Sequence, residues 1–206
     1  MFGFIKSKLD GTERIYTNEN VSKIPESYSY RKVLPKVLNQ GSDPICVPCS
    51  ISAIINWKEN LKDGSNKDNK VALFDIYRSK KTYGDGMTFK DAFAYLSEKG
   101  VKIADGKYKM KDFALVKSIV PLKMALIANG PCVGALPVYS YESMFWDGTG
   151  KKKRDILGYH AISIVGYNDK GFIIRNSWGT SFADDGYTVL PYSHFRYFCE
   201  LWTILD

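Results

Sequence analysis

The stretch over residues 159–179, Y-H-A-I-S-I-V-G-Y-N-D-K-G-F-I-I-R-N-S-W-G, constrains this chain more than any other. Two runs rich in Ile and Val, 161–167 and 172–175, flank the turn residues Asn168, Asp169, Lys170 and Gly171, the pattern of a β-hairpin. A histidine opens the first run and Asn-Ser-Trp-Gly closes the second. Folding the hairpin returns the end of the second strand towards the start of the first, so His160 and Asn176 are predicted to meet, with the register left open. An Asn side-chain oxygen accepts an imidazole proton and so holds one tautomer and one ring orientation. The same pair also serves as a plain structural contact; a nucleophile elsewhere in the chain would decide between the two.

At 206 residues, 45% of them hydrophobic, the chain can bury a core, and one globular unit of two lobes is expected. Residues 1–23 are polar and mixed and read as an N-terminal arm ahead of a domain over 24–206. No apolar run approaches the roughly 18 residues of a membrane span. The opening Met1-Phe2-Gly3-Phe4-Ile5 gives way at once to Lys6, Lys8 and Asp10, too short for a signal peptide. An intracellular, cytoplasmic location without membrane contact is therefore expected. The net charge of +7 favours acidic partners without naming one. Lys151, Lys152, Lys153 and Arg154 read as a solvated loop tip, and no aromatic interleaving points to nucleic acid as the main partner.

Along the chain, Pro25 and Pro35 keep the first segment extended, and Asn39 to Pro44 is turn chemistry. A helix is predicted from Cys46 to about Asn60, with Pro48 in its first turn, where a missing N–H costs nothing. Further helices are predicted over 71–81, over 88–99 with Thr88 or Asp85 as cap, and over 118–129. Strands follow over 132–138, in the hairpin, and over 186–190 and 198–205. Helices thus cluster early and strands late, an α+β layout with a helical lobe over about 40–105 and a β lobe over 106–206.

Of the four cysteines, Cys132 and Cys199 sit among apolar residues and read as inert thiols. Cys46 differs, because a thiol at a helix N-terminus feels the positive end of the macrodipole, which favours thiolate. His160 can take its proton, Gln40 and the Cys46 N–H can supply two donors to an oxyanion, Asn176 can orient the histidine, and Trp178 can shield that pair from water. Other readings stay open. Cys46-Val47-Pro48-Cys49 is also a C-x-P-C redox motif, although no βαβ unit precedes it, and Cys49 could close a reversible disulfide onto Cys46. A zinc site from Cys46, Cys49 and His160 with His194 or Cys199 lacks metal-ligand spacing in its second pair. No metal and no cofactor are expected.

Here the sequence resembles the papain-like cysteine peptidases, over nearly the whole chain from Ile24 onward. The resemblance is carried by Asn39-Gln40-Gly41-Ser42, by Cys46 six residues after that glutamine, by Tyr159-His160-Ala161 and by Asn176-Ser177-Trp178-Gly179. Gly186-Tyr187, Leu190-Pro191-Tyr192 and the ending Leu201-Trp202-Thr203-Ile204 look closer to bacterial or viral members. The resemblance implies a papain-like two-lobe fold with the active site in the cleft between a helical and an antiparallel β lobe. It implies an endopeptidase in which Cys46 attacks a peptide carbonyl, His160 shuttles the proton and water resolves an acyl-enzyme. It makes Gly86, Met87, Ala135 and Ala161 the substrate-binding residues, Gly86-Met87 offering backbone and the others an apolar subsite, and makes a protein or peptide the substrate. Two departures stand out: Val47 replaces a tryptophan beside the catalytic pair, and the residues before Ile24 are fewer than a conventional inhibitory propeptide. A catalytically inactive papain-fold binding protein therefore remains the alternative. For an unguarded protease a restraining partner, or confinement in a larger assembly such as a viral or phage particle, is expected, and the arm is expected to cover part of the cleft.

Overall fold

The computed structural model describes residues 3–17, 21–139 and 156–205. The basic run 151–154 lies outside the described residues. The central element is helix α1 (Cys46–Asn60), which starts directly after the turn at 41–44 and buries nearly all of its length. Its polar residues are satisfied without water: Ser50 Oγ donates to the Val47 carbonyl at 2.8 Å and Ser52 Oγ to that of Cys49 at 2.7 Å. Asn56 bonds the Ser52 carbonyl and accepts the Asn69 N–H at 2.7 Å. A helix this buried tolerates such residues only because each finds a partner.

Helices α2 (Leu73–Arg78) and α3 (Phe89–Glu98) pack beside α1. Thr88 caps α3 by accepting the Asp91 N–H at 2.9 Å. Helix α2 is shorter than the 71–81 predicted. At its start the Ala72 N–H is committed to the Lys102 carbonyl, and beyond its end the Lys81 N–H goes to the Asp91 carboxylate. Helix α4 (Ile119–Asn129) follows, starting one residue after the predicted 118, with Ser118 at the N-cap position.

The main sheet runs in the order β4 (Asp112–Leu115), β9 (Glu200–Leu205), β5 (Cys132–Val138), β6 (Gly158–Tyr167), β7 (Gly171–Arg175), β8 (Tyr187–Pro191), all antiparallel. The short β1 (Tyr28–Ser29) adds to β6, and β2 (Val101–Ile103) pairs with β3 (Gly106–Tyr108) as a separate hairpin. The period of two decides which core each residue joins. From β5 and β9, Val133, Ala135, Trp202 and Ile204 face the helices α1–α3, while Cys132, Leu136 and Leu201 face α4 on the other side. The result is the α+β, two-lobe architecture, with the start of α1 set against the start of β6. The Ser163 hydroxyl donates across this seam to the Ser50 carbonyl at 2.9 Å.

Candidate active site

Cys46 opens α1 at the seam, wholly buried, and its sulfur is approached by the backbone N–H groups of Ala161 and Gly3. Ala161 follows His160 on β6, so the thiol lies beside the residue next to the imidazole. His160 Nε2 stands 2.8 Å from Asn176 Oδ1. The same oxygen receives the Ser177 backbone N–H at 2.7 Å. An N–H can only donate, so the atom facing it must be the amide oxygen, and His160 must carry its proton on Nε2. Nδ1 is then the basic nitrogen. The Trp178 ring stacks on the imidazole with centroids 4.7 Å apart, and Phe182 closes edge-on over Trp178.

Gln40 reaches this group through backbone pairing. Its N–H donates to the Ser177 carbonyl at 2.8 Å, and the Gly179 N–H to that of Leu38 at 2.9 Å. The Ser177 hydroxyl donates to Gln40 Oε1 at 2.6 Å, and Gln40 Nε2 donates to the Asp43 carbonyl at 2.8 Å. One amide hydrogen is thus committed to the turn before α1, and any oxyanion contact falls to the second. Arg175, buried at the end of β7, ties the same segment down through the carbonyls of Pro35 and Lys36 and the Tyr187 hydroxyl. Ser177 is a positioning residue that the sequence alone did not single out.

Met87, Ala135 and Ala161 belong with Cys46 to one buried cluster, and Phe4 from the chain's own arm is a member of it, bridged to Met87. Phe4 packs 5.1 Å from Phe89 and is 4% exposed. Residues 3–5 pair in parallel with Met87: the Met87 N–H donates to the Gly3 carbonyl at 2.9 Å and the Ile5 N–H to the Met87 carbonyl at 3.0 Å. The Phe4 N–H points to the Tyr159 carbonyl at 3.4 Å. Next along the arm, the Lys6 ammonium sits 4.2 Å above the Tyr159 ring, and the Ser7 N–H donates to the buried carboxylate of Glu200, whose other oxygen takes the Trp202 indole N–H. Gly3 has room for no side chain, since a Cβ there would lie 2.2 Å from the Pro44 carbonyl oxygen. What the arm presents to the sulfur is an N–H donor and not an electrophilic carbon. The signal was in the sequence: an apolar run, Met1-Phe2-Gly3-Phe4-Ile5, heads a largely polar arm.

Covering the cleft changes its electrostatics. The helix start leads one to expect a thiolate at Cys46. Burial instead pushes the thiol up to about 11, against the downward pull of the Ala161 and Gly3 N–H groups. Burial likewise pushes His160 down to about 4, although the hydrogen bond to Asn176 works the other way. At neutral pH both groups are therefore uncharged in this conformation. Placing a charge in a closed apolar site costs several kcal/mol, whereas a helix terminus returns about 2 kcal/mol at most. Cys49 is also buried, and burial raises it to about 12. Among the described residues no group of three His, Cys, Asp or Glu side chains is arranged to hold a metal ion. None of the described helices is long and apolar enough to cross a membrane.

A family model described as "Papain family cysteine protease" matches residues 47–200, beginning one residue after Cys46. Among curated sequences, a cathepsin B-like protein CP1 of Giardia intestinalis is 28% identical over 211 residues, covering 82% of this chain and 69% of that protein. An uncharacterized peptidase C1-like protein, L477, of Acanthamoeba polyphaga mimivirus is 35% identical over 92 residues, 41% of this chain and 30% of that one. A KDEL-tailed cysteine endopeptidase of Arabidopsis thaliana is matched over 58% of its own length at 26% identity. Among solved structures, xylellain, a cysteine protease from Xylella fastidiosa, superposes with a TM-score of 0.80 at 22% identity, over 98% of this chain and 95% of that one. Procathepsin B S9 of Trypanosoma congolense does so at 0.81 and 17%, over 99% and 86%.

Proposed function

The chain belongs to the papain family of cysteine proteases, and on that premise we propose that it hydrolyses peptide bonds in protein or peptide substrates through Cys46. The observation that carries the reading is the Ser177 N–H on Asn176 Oδ1, because it fixes the amide and hence the His160 tautomer. With Nε2 protonated, Nδ1 is the nitrogen left to take a proton from the thiol. The thiolate then attacks the substrate carbonyl, and the oxyanion is received by the Cys46 N–H and the second hydrogen of the Gln40 amide. The imidazolium gives its proton to the leaving amine, and water, activated by the same nitrogen, releases the acyl group.

This chemistry needs the arm to leave. With Phe4 in the apolar subsite and Gly3 at the sulfur, neither a substrate nor a charged catalytic pair is accommodated. The conformation described here is thus the resting one, and opening readmits water and lowers the thiol towards its ordinary range. The test is hydrolysis of an unstructured protein by Phe4→Ala, compared with the same variant carrying Cys46→Ser or His160→Ala. Activity present in the first and absent from the other two supports the reading. Hydrolysis that survives His160→Ala would overturn the role given to the imidazole, and its absence from all three would point to an inert scaffold.

A further inference from the structure

At the far end of α1 from the thiol lies a groove of about 550 Å³ between the end of α1, the strand β3 with its continuation, and the end of α4. Five lysines line it, Lys58, Lys62, Lys107, Lys109 and Lys111, against a single acid, Glu59, which already holds Lys62. Their order is a consequence of local structure. In Lys107-Tyr108-Lys109-Met110-Lys111, the end of β3 and its continuation, Tyr108 and Met110 are buried and the three lysines exposed, the alternation of an extended chain. Alternate residues of an extended chain stand about 6.6 Å apart, so the three ammonium groups form a comb. Lys58 and Lys62, four residues apart at the end of α1, form the facing row.

Both walls are fixed. A Cβ on Gly100 would lie 2.6 Å from the Tyr108 carbonyl, so the comb is pressed against the end of α3, and a Cβ on Gly130 would lie 2.1 Å from the Trp57 ring at the groove floor. A lysine at the end of a helix interacts well with the terminal carbonyls, which accounts for Lys58 and Lys62. The lysines at 107, 109 and 111 stand on no helix, and that explanation does not reach them.

We propose that this groove docks an extended acidic polypeptide segment, whose alternate carboxylates share the spacing of the comb. Resting on the peptidase reading above, the segment belongs to the substrate and the groove is an exosite. Twelve residues of α1 separate Cys46 from Lys58, about 18 Å along the helix axis, so at least about five extended residues must lie between the acidic stretch and the scissile bond.

The binding test uses the full chain with Cys46→Ser and a fluorescent ten-residue peptide alternating Glu with Ser, by anisotropy at low salt. Lys107→Glu/Lys109→Glu/Lys111→Glu is expected to weaken binding at least ~10-fold. Lys23→Glu/Lys32→Glu/Lys36→Glu, which makes the same charge change at exposed lysines outside the groove, is expected to leave binding within about twofold. Equal losses in the two variants would reduce the effect to net charge and overturn the proposal. So would failure of the peptide to bind at low salt, or tighter binding of a single-stranded oligonucleotide of equal charge. Because binding is read without turnover, a chain that docks the peptide yet hydrolyses nothing overturns the peptidase reading and leaves the docking site standing. With Phe4→Ala as the enzyme, an acidic tail on the substrate is expected to lower KM and leave kcat unchanged; an unaltered KM would overturn the exosite role alone.

Discussion

Replacing Phe4 by alanine removes the arm's ring from the cleft and leaves its backbone pairing with Met87 in place. The ring is 4% exposed, tilted against Phe89 and part of the same buried cluster as Met87, Ala135 and Ala161. Burying a phenylalanine side chain is worth about 2–3 kcal/mol, so the substitution weakens arm docking by that amount. At 1.4 kcal/mol per tenfold, the ratio of closed to open molecules falls about 30- to 140-fold. The gain in kcat/KM on a short fluorogenic peptide reaches this range where the wild-type chain is almost entirely closed, and is smaller in proportion where some of it is already open. Alkylation of Cys46 by iodoacetamide should accelerate in step, because both events need the same opening. Leu9→Ala, a partly exposed arm position outside the cleft, is the control and should change neither rate. The arm also contributes the buried Tyr16, whose N–H donates to the Leu115 carbonyl at 2.8 Å, so a chain starting at Ile24 loses stability as well as inhibition. For that reason Phe4→Ala, with its melting transition measured alongside, is the cleaner perturbation. If it folds as the wild type does and neither rate rises, the arm does not gate the cleft.

Asn176→Ala removes the acceptor that holds both His160 and the Ser177 N–H; in the Phe4→Ala background kcat should fall about 10²-fold or more with KM little changed, and an unchanged kcat would mean that the imidazole is oriented by something else. The pH dependence of stability follows from His160. Its folded pKa, about 4, lies below the ordinary 6.5, so the unfolded chain binds the extra proton between these values. Stability is then complete above about pH 6.5 and falls by about 3 kcal/mol as pH drops towards 4, a slope that urea denaturation of His160→Gln should lack. At the alkaline end Cys46 and Cys132, raised by burial to about 11 and 12, lose stability as pH climbs above about 9, since the unfolded thiols ionise first. Arg175→Met leaves the Pro35 and Lys36 carbonyls without their donor and should cost about 3 kcal/mol of stability; a loss under 1 kcal/mol would show that segment 35–40 is held by its pairing with Ser177 and Gly179 alone.

Sequence alone was sufficient wherever the controlling forces are local. The Ile/Val runs and the Asn-Asp-Lys-Gly turn specify the hairpin, Pro48 and the preceding turn specify the start of α1, and Thr88 or Asp85 marks the start of α3, where the structure uses Thr88, because turn chemistry, caps and side-chain period act over a few residues. The candidate residues Gln40, Cys46, His160 and Asn176 were picked out by their types and steps within such elements together with the family resemblance those motifs carry. Three matters were settled only by long-range packing. The strands β2, β3 and β4 are three or four residues long, and their pairing depends on partners that periodicity does not reveal. How residues 3–7 dock depends on a cleft built from residues as far apart in the chain as Pro44, Met87, Tyr159 and Glu200, which turns a polar-looking arm into a docked strand. The protonation of Cys46 and His160 depends on how much water reaches them. The dipole of α1 can be read from sequence, but the desolvation that overrides it exists only once the two lobes and the arm have closed around the thiol.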